Sequence, residues 1–479
     1  MKIEDLRDKH CFIFPKSPIS ETFKKYLDVN GVFVKGFIDN QKKENTFYLD
    51  DISSKEFDYI LIFSPNHYRT IYEQTINSIS KEKVIFVYFG NNNKEYLFTK
   101  DIDALSTIDS KEIYEKYFEA KAKNYTLKDE VLFVGVGFLD LNVKYLYLYL
   151  KKHTNLKVYI STNNQRDIDI FKKHNIDVIP FFSEEFFDLV FRTKIKIVDQ
   201  TPTDELLIKC LNIGKSIQLW HGITIEQLGV LANYKLLKYD VVLSTSNFVS
   251  DYSFSKIYIY DKLINCGYPR NDILYNDNIE LINVDLELLD EIKNSKELKY
   301  VVYMPTHRLH SFESNPINYK ELNDFGVRNS IKFIIKMHPL VAEKAREDLA
   351  LYQEICDFSN LVIYPSFMDI YPILKYSDIL ISDYSSVYFD FLYTNKPIIF
   401  FCYDYKEWVE SEGSVVLDYF SYSPGDKCYT FIELLNSILT NLKEDKYIGD
   451  RKRVFDQMFE NKTQSASKLI LEEIKGLLK

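Results

Sequence analysis

The chain has 479 residues, 46% of them hydrophobic and 27% charged, with a formal net charge of −10. That length predicts two or three domains with ample core, and the acidic balance excludes a nucleic-acid binder with a broad basic face, leaving room only for a local basic pocket. The six cysteines are scattered, with no CxxC and no His at metal-ligand spacing, so neither a zinc site nor a disulfide framework is expected, and a reducing compartment fits.

In chain order, MKIEDLRDKHCFIF is charged and lacks a signal-peptide core, and no apolar run is long enough to span a membrane. A cytoplasmic protein is expected, at most peripheral at the inner membrane face. Residues 1–108 form a small α/β domain of Rossmann type. Its strands are Cys11–Phe14, Val32–Asp39, Tyr59–Phe63 and Val84–Phe89, with helices over Ser20–Asn30 and His67–Ser80. Its first turn, FPKSPISET, has no glycine where a dinucleotide loop needs G-x-G-x-x-G, so an interaction or scaffolding role is expected rather than cofactor binding.

Residues 109–129 are a charged helical connector. A longer βαβ series fills 130–262, with strands at Val131–Gly137, Leu156–Thr162, Lys194–Gln200, Ser216–Trp220 and Val241–Asn247, and a helix start at Thr224. Gly135 and Gly137 mark a strand-to-loop turn, since no third glycine follows. The rhythm repeats over 263–479, through Tyr300–Arg308, Lys332–Leu340 and the unit Asp378–Phe401, and ends in a charged C-terminal helix. Asp378–Phe401 is a strand (Ile379–Ser382), a polar loop (Asp383–Ser386), a short helix capped by Ser385 or Ser386, and a second strand from Pro397. An ordinary capped turn and an anion site at a helix N-terminus are both compatible with that loop.

Polar residues fall at the predicted strand ends: His221, the Thr306–Arg308 turn, His338 and the Asp383–Ser386 loop. Parallel strands gather their carboxyl ends on one edge, so those of one domain converge. The set suits chemistry on a diphosphate. Arg308 can clamp phosphate oxygens, the serines can hold the rest, and a histidine can move a proton near neutral pH. Asn247 and Arg270, on neighbouring loops, join Thr306, Arg308, Asp383, Ser385 and Ser386 as donor-binding candidates. Taken singly, His221 and His338 are better explained by strand-end packing, while Arg308 is open to a surface ion pair and Asp390 to an exposed helix turn; the clustering favours function.

LWHGITIEQLG, GYPRNDIL, YMPTHR, IKMHP, DILISDYSSVYFDF and KPIIFFCYDYKEW, in that order, resemble the CDP-glycerol glycerophosphotransferase family, which builds or primes teichoic-acid-like poly(glycerol phosphate) and related capsule polymers. The resemblance spans roughly residues 130 to 475. It implies a GT-B fold of two doubly wound Rossmann-like domains, an acceptor side at 130–262 and a CDP-alcohol side at 263–479, behind the extra N-terminal domain. It implies His221 as general base, His338 at the diphosphate, and Arg308, Asp383, Ser385 and Ser386 binding or orienting the donor. The implied donor is CDP-glycerol and the acceptor a glycan or polyol phosphate, in some enzymes lipid-linked. The chain departs from the pattern at His307, usually an aromatic, and at Glu412-Gly413, usually Arg-Gly, which leaves CDP-ribitol open as donor. No acidic metal-ligand pair stands out, so no required metal is expected. Two other functions stay open: a nucleotide-sugar glycosyltransferase of GT-B type, and a non-catalytic nucleotide-binding assembly subunit.

Overall fold

Short apolar strands linked by amphipathic helices bury both faces only as parallel sheets between helix layers, and the chain forms three such sheets. The structure is a computed structural model that describes residues 2–479 apart from 17, 41–45, 53, 65–67, 90–95, 103–109, 136, 139–141, 203, 224, 226–236, 307–315, 338–356 and 413–416. Two compact units result, Met1–Ala120 and Lys121–Lys479.

The first unit holds β1 (His10–Phe14), β2 (Phe33–Ile38), β3 (Thr46–Phe47), β4 (Tyr59–Ile62), β5 (Val84–Phe89) and β6 (Tyr96–Thr99), in the order β3-β2-β1-β4-β5-β6. Neighbours pair parallel except β5 with β6. Alternate side chains of β1, β4 and β5 feed separate cores on the two faces: Phe12, Ile60 and Phe86 on one, Ile13, Leu61 and Ile85 on the other. The sequence pattern missed β3 and β6. The first is two residues long, and the second, YLFT, is a short edge strand whose apolar run is only three residues long between charged flanks. After β1, Lys16 pairs with Glu21 at 3.4 Å, where a dinucleotide loop would carry glycine.

The second unit follows a helix at Ser110–Ala122. Its first sheet contains β7 (Lys128–Val134), β8 (Lys157–Ser161), β9 (Val178–Ile179), β10 (Thr193–Val198), β11 (Lys215–Gln218), β12 (Lys238–Ser244) and β13 (Ile259–Asn265), in the order β13-β12-β11-β10-β7-β8-β9. Its second sheet contains β14 (Lys299–Tyr303), β15 (Ile331–Ile335), β16 (Leu361–Ile363), β17 (Ile379–Ser382), β18 (Ile398–Phe401) and β19 (Asp426–Cys428), in the order β16-β15-β14-β17-β18-β19. Every pairing in both sheets is parallel. The strand order reverses between β10 and β7 in one sheet and between β14 and β17 in the other, and ligands enter open α/β sheets at such reversals.

The last helix, Ala466–Leu478, returns to the first of these sheets, where Ile470, Leu471 and Ile474 join the core of Val131, Ile195 and Ile217. Asp272 fixes its start by accepting from Ser465 Oγ (2.7 Å) and the Ala466 N–H (2.8 Å). Two buried ion pairs bolt the sheet-bearing halves together. Lys144 Nζ, on the helix Asn142–His153, bonds Asp369, which also accepts from Tyr145 Oη at 2.5 Å and the Tyr371 N–H at 2.9 Å. Arg270 pairs with Asp390 at 2.7 Å. Among the described residues the five cysteines are buried and unpaired, and no helix is long and apolar enough to cross a membrane.

Candidate active site

β11 ends at Gln218, and the chain then turns sharply through Leu219–Gly222. Trp220 adopts φ +58°, a left-handed conformation that costs a bulky residue of order 1–3 kcal/mol. Two hydrogen bonds hold it there. Its N–H donates to Gln218 Oε1 at 2.9 Å, and its carbonyl accepts from Asn142 Nδ2 at 2.6 Å. The turn carries His221 to the strand-order reversal, where its Nδ1 lies 3.0 Å from the carbonyl oxygen of Asp199, just past the end of β10.

A carbonyl can only accept, so Nδ1 carries the proton and Nε2 keeps its lone pair. His221 is solvent-accessible yet densely surrounded by protein. That surrounding lowers its pKa below 6.5; the Asp199 carbonyl opposes the shift, and the neighbouring Arg270 charge adds a smaller push downward. At neutral pH the ring is therefore an uncharged base with its free nitrogen fixed.

The Asp383–Ser386 loop approaches from the other sheet. A Cβ added at Gly222 would lie 2.9 Å from Ser386 Oγ and 3.3 Å from Arg270 Nη2, so only glycine permits this approach without displacement. The Asp383–Ser386 loop is itself organised by Asp383. Its buried carboxylate accepts from the Thr306 N–H (2.9 Å), Thr306 Oγ1 (2.6 Å), the Tyr384 N–H (2.6 Å) and the Ser385 N–H (3.3 Å). Tyr419 Oη donates to the Asp383 carbonyl at 2.8 Å, and Tyr384 stacks on Trp408 with centroids 4.0 Å apart.

These contacts change several sequence-based assignments. Asp383 and Thr306 are joined to each other across the β14–β17 reversal, and their hydrogen bonds shape the Asp383–Ser386 loop. Ser385 and Ser386 remain partly exposed at its tip. Ser386 occupies the N-cap position of the helix Val387–Phe391, but neither serine caps it through a side chain: Ser386 has helical φ and ψ, and its hydroxyl lies beside Gly222. Asn247 is exposed, its N–H bonding Glu460 Oε1 at 2.7 Å and its Oδ1 accepting from Asn265 at 2.8 Å.

Arg270 is 5% exposed and Asp390 1%, so Asp390 is no exposed helix turn. It gathers Arg270, Asn271 Nδ2 (2.9 Å) and Tyr371 Oη (2.6 Å). Arg308, His307, His310 and His338 lie outside the described residues, as do Gly413, the side chain of Glu412 and the helix start at Thr224. Sequence reasoning missed Asn142, which spans Trp220 and the Arg270 N–H (3.2 Å to Oδ1), and it missed the burial of Asp390. The flanking Phe389 and Phe391 were the available signal, since a lone carboxylate amid apolar residues is seldom left in water.

Comparison with known proteins points one way. The family described as CDP-glycerol:poly(glycerophosphate) glycerophosphotransferase matches residues 116–476, beginning where the first unit ends. The chain is 27% identical over 365 residues to a teichoic acid glycerol-phosphate transferase of Staphylococcus aureus, covering 68% of this chain and 87% of the relative. It is 26% identical over 365 residues to a teichoic acid poly(glycerol phosphate) polymerase of Bacillus spizizenii, covering 70% and 88%. A solved structure of the wall teichoic acid polymerase TagF superposes with a TM-score of 0.59 at 22% identity, over 76% of this chain and 95% of that one. That likeness establishes the GT-B arrangement of the two sheets.

Proposed function

Because the chain belongs to the CDP-glycerol:poly(glycerophosphate) glycerophosphotransferase family, we propose that it transfers glycerol phosphate from CDP-glycerol to a hydroxyl of a glycan or polyol-phosphate acceptor in teichoic-acid-like polymer synthesis. An acceptor oxygen attacks the donor's β-phosphorus in line, and its proton passes to His221 Nε2. The bond from that phosphorus to the bridging oxygen breaks, and CMP leaves with the electron pair. The observation that carries this reading is the Nδ1 contact of His221 with the Asp199 carbonyl, which leaves Nε2 able to take a proton.

On the donor side, Ser385 and Ser386 offer hydroxyls at the tip of a loop that Asp383 and Thr306 hold rigid. Arg308 and His338 are assigned to the diphosphate from their motifs, where a cation and an imidazole would stabilise charge on the departing nucleotide. The reaction is assigned no resident metal, because the sequence offers no acidic ligand pair; chelation that abolishes turnover would reverse that assignment. The acceptor is taken to be lipid-linked and met at the inner membrane face, with the first unit serving acceptor placement or partner docking.

The test is nucleotide release from CDP-glycerol, CDP-ribitol and UDP-sugars in the presence of a poly(glycerol phosphate) acceptor. The proposal expects CMP from CDP-glycerol. CDP or UDP as the product would instead assign a glycosyltransferase, and no release from any donor would leave a binding subunit.

A further inference from the structure

Arg270 is the residue whose position departs furthest from its expected role. A donor ligand would turn its guanidinium to the open cleft, but this one is buried, flanked by the rings of Tyr268 and Tyr371 at 5.6 and 5.2 Å, and bonded to Asp390. We propose that Arg270 is a positioning residue of the transfer reaction: clamped by Asp390 and pressed against Gly222, it fixes the Trp220–Gly222 turn, and with it His221, against the Ser386 loop. The inference rests on the reading of His221 as the base.

Three observations converge on it. Arg270 Nη2 lies 3.3 Å from where a Gly222 Cβ would sit, and Ser386 Oγ 2.9 Å from the same point, so the guanidinium, the turn and the donor loop meet there. Asn142 accepts the Arg270 N–H through Oδ1 and donates to the Trp220 carbonyl through Nδ2, so one side chain couples both segments. Asp390 comes from the helix after β17 and Tyr371 from the helix before it, so the clamp reaches the base's turn from the opposite sheet.

The charge has a second consequence. A guanidinium does not lose its proton in water's working range, and beside an imidazole it opposes a second positive charge. The groups that face Arg270 are Asp390, Tyr371 and Tyr268. Those bearing on His221 are Arg270 and the Asp199 carbonyl, the Asp199 carboxylate accepting instead from the Val143 N–H at 3.2 Å. Arg270 thus favours the neutral ring, while Asp390 alone would favour the charged one.

The experiment uses the full chain with carbon-13 in the histidine rings, the His221 resonance being identified by its loss in His221→Gln. In the wild type it titrates below 6.5. In Arg270→Gln the midpoint rises by about one unit, turnover with CDP-glycerol falls about tenfold or more, and donor affinity changes by less than about twofold. Arg270→Lys, which keeps the charge but not the fork, leaves the midpoint in place and recovers part of the turnover. If burial of an unpaired Asp390 stops Arg270→Gln from folding, Arg270→Gln/Asp390→Asn removes both charges, and the midpoint still rises.

Wild-type turnover in folded Arg270→Gln overturns the inference, and so does a loss confined to donor affinity, which would return Arg270 to the donor site. A midpoint that moves while His221→Gln turns over normally leaves the positioning intact and refutes the base instead.

Discussion

Lys144→Met tests whether the two halves of the second unit are bolted as described. The Lys144 ammonium and Asp369 are each 1% exposed, and no bulk water reaches either. Removing one partner of such a pair leaves an uncompensated buried charge and costs about 3–5 kcal/mol. Two bonds from Tyr145 Oη and the Tyr371 N–H remain on Asp369 to soften that, and one from Nζ to the Ile282 carbonyl, at 3.3 Å, is lost. A loss of about 3 kcal/mol is therefore expected.

The same helix starts at Asn142, which holds the Trp220 turn, so turnover should fall along with stability. Denaturant titration of the full chain, with the single and double variants Lys144→Met, Asp369→Asn and Lys144→Met/Asp369→Asn, measures the coupling directly. The double variant should recover most of the loss, because it leaves no orphaned charge. A Lys144→Met cost below about 1 kcal/mol, or a double variant no better than the singles, refutes the buried pair as a bolt.

Gly222→Ala puts a methyl group 2.9 Å from Ser386 Oγ on a backbone at φ +155°; displacement of the turn that carries His221 should cost turnover about a hundredfold and some stability as well, and normal turnover would show that the approach is not needed. Burial pushes Lys196 down to about 7 from 10.5, so between those values the unfolded chain binds more protons and stability rises with pH. Lys196→Met should stabilise the chain by up to about 4 kcal/mol at pH 7 and below, less the bond from Nζ to the Thr193 carbonyl, with the gain vanishing near pH 10.5; a gain that does not vary with pH refutes this account. Ser385→Ala/Ser386→Ala should weaken CDP-glycerol binding roughly tenfold, at about 0.5–1.5 kcal/mol per hydroxyl, and unchanged calorimetric affinity would reduce the loop to a plain turn.

The β-strands were legible because each is a short apolar run with a polar exit, and Ile379–Ser382 falls where the pattern put it. Strands β3, β6 and β19 were not: β3 and β19 are two and three residues long without an apolar run, and β6 is a short edge strand. The destination of the last helix was also hidden: its apolar face reports that it packs, but not that it packs on a sheet more than two hundred residues earlier. At the site, His221 was legible as a polar residue leaving a strand.

Its tautomer was not, because the partner is a main-chain carbonyl, to which sequence gives no clue. Asp383 and Arg270 show the complementary case. A charged residue in a functional motif was read as a donor ligand, and in the structure both make hydrogen bonds with the protein around them. Only burial and partners separate those roles, and neither is encoded locally.

The central claim is that His221 takes the acceptor's proton as it attacks the β-phosphorus, and single-turnover kinetics on His221→Asn measured beside calorimetric donor binding tests it most directly. The account predicts CDP-glycerol affinity within about twofold of the wild type and CMP release slowed by about 10²–10⁴-fold, with the wild-type acid limb lying below pH 6.5, where the ring becomes charged. CMP release at the wild-type rate from a folded His221→Asn would contradict it.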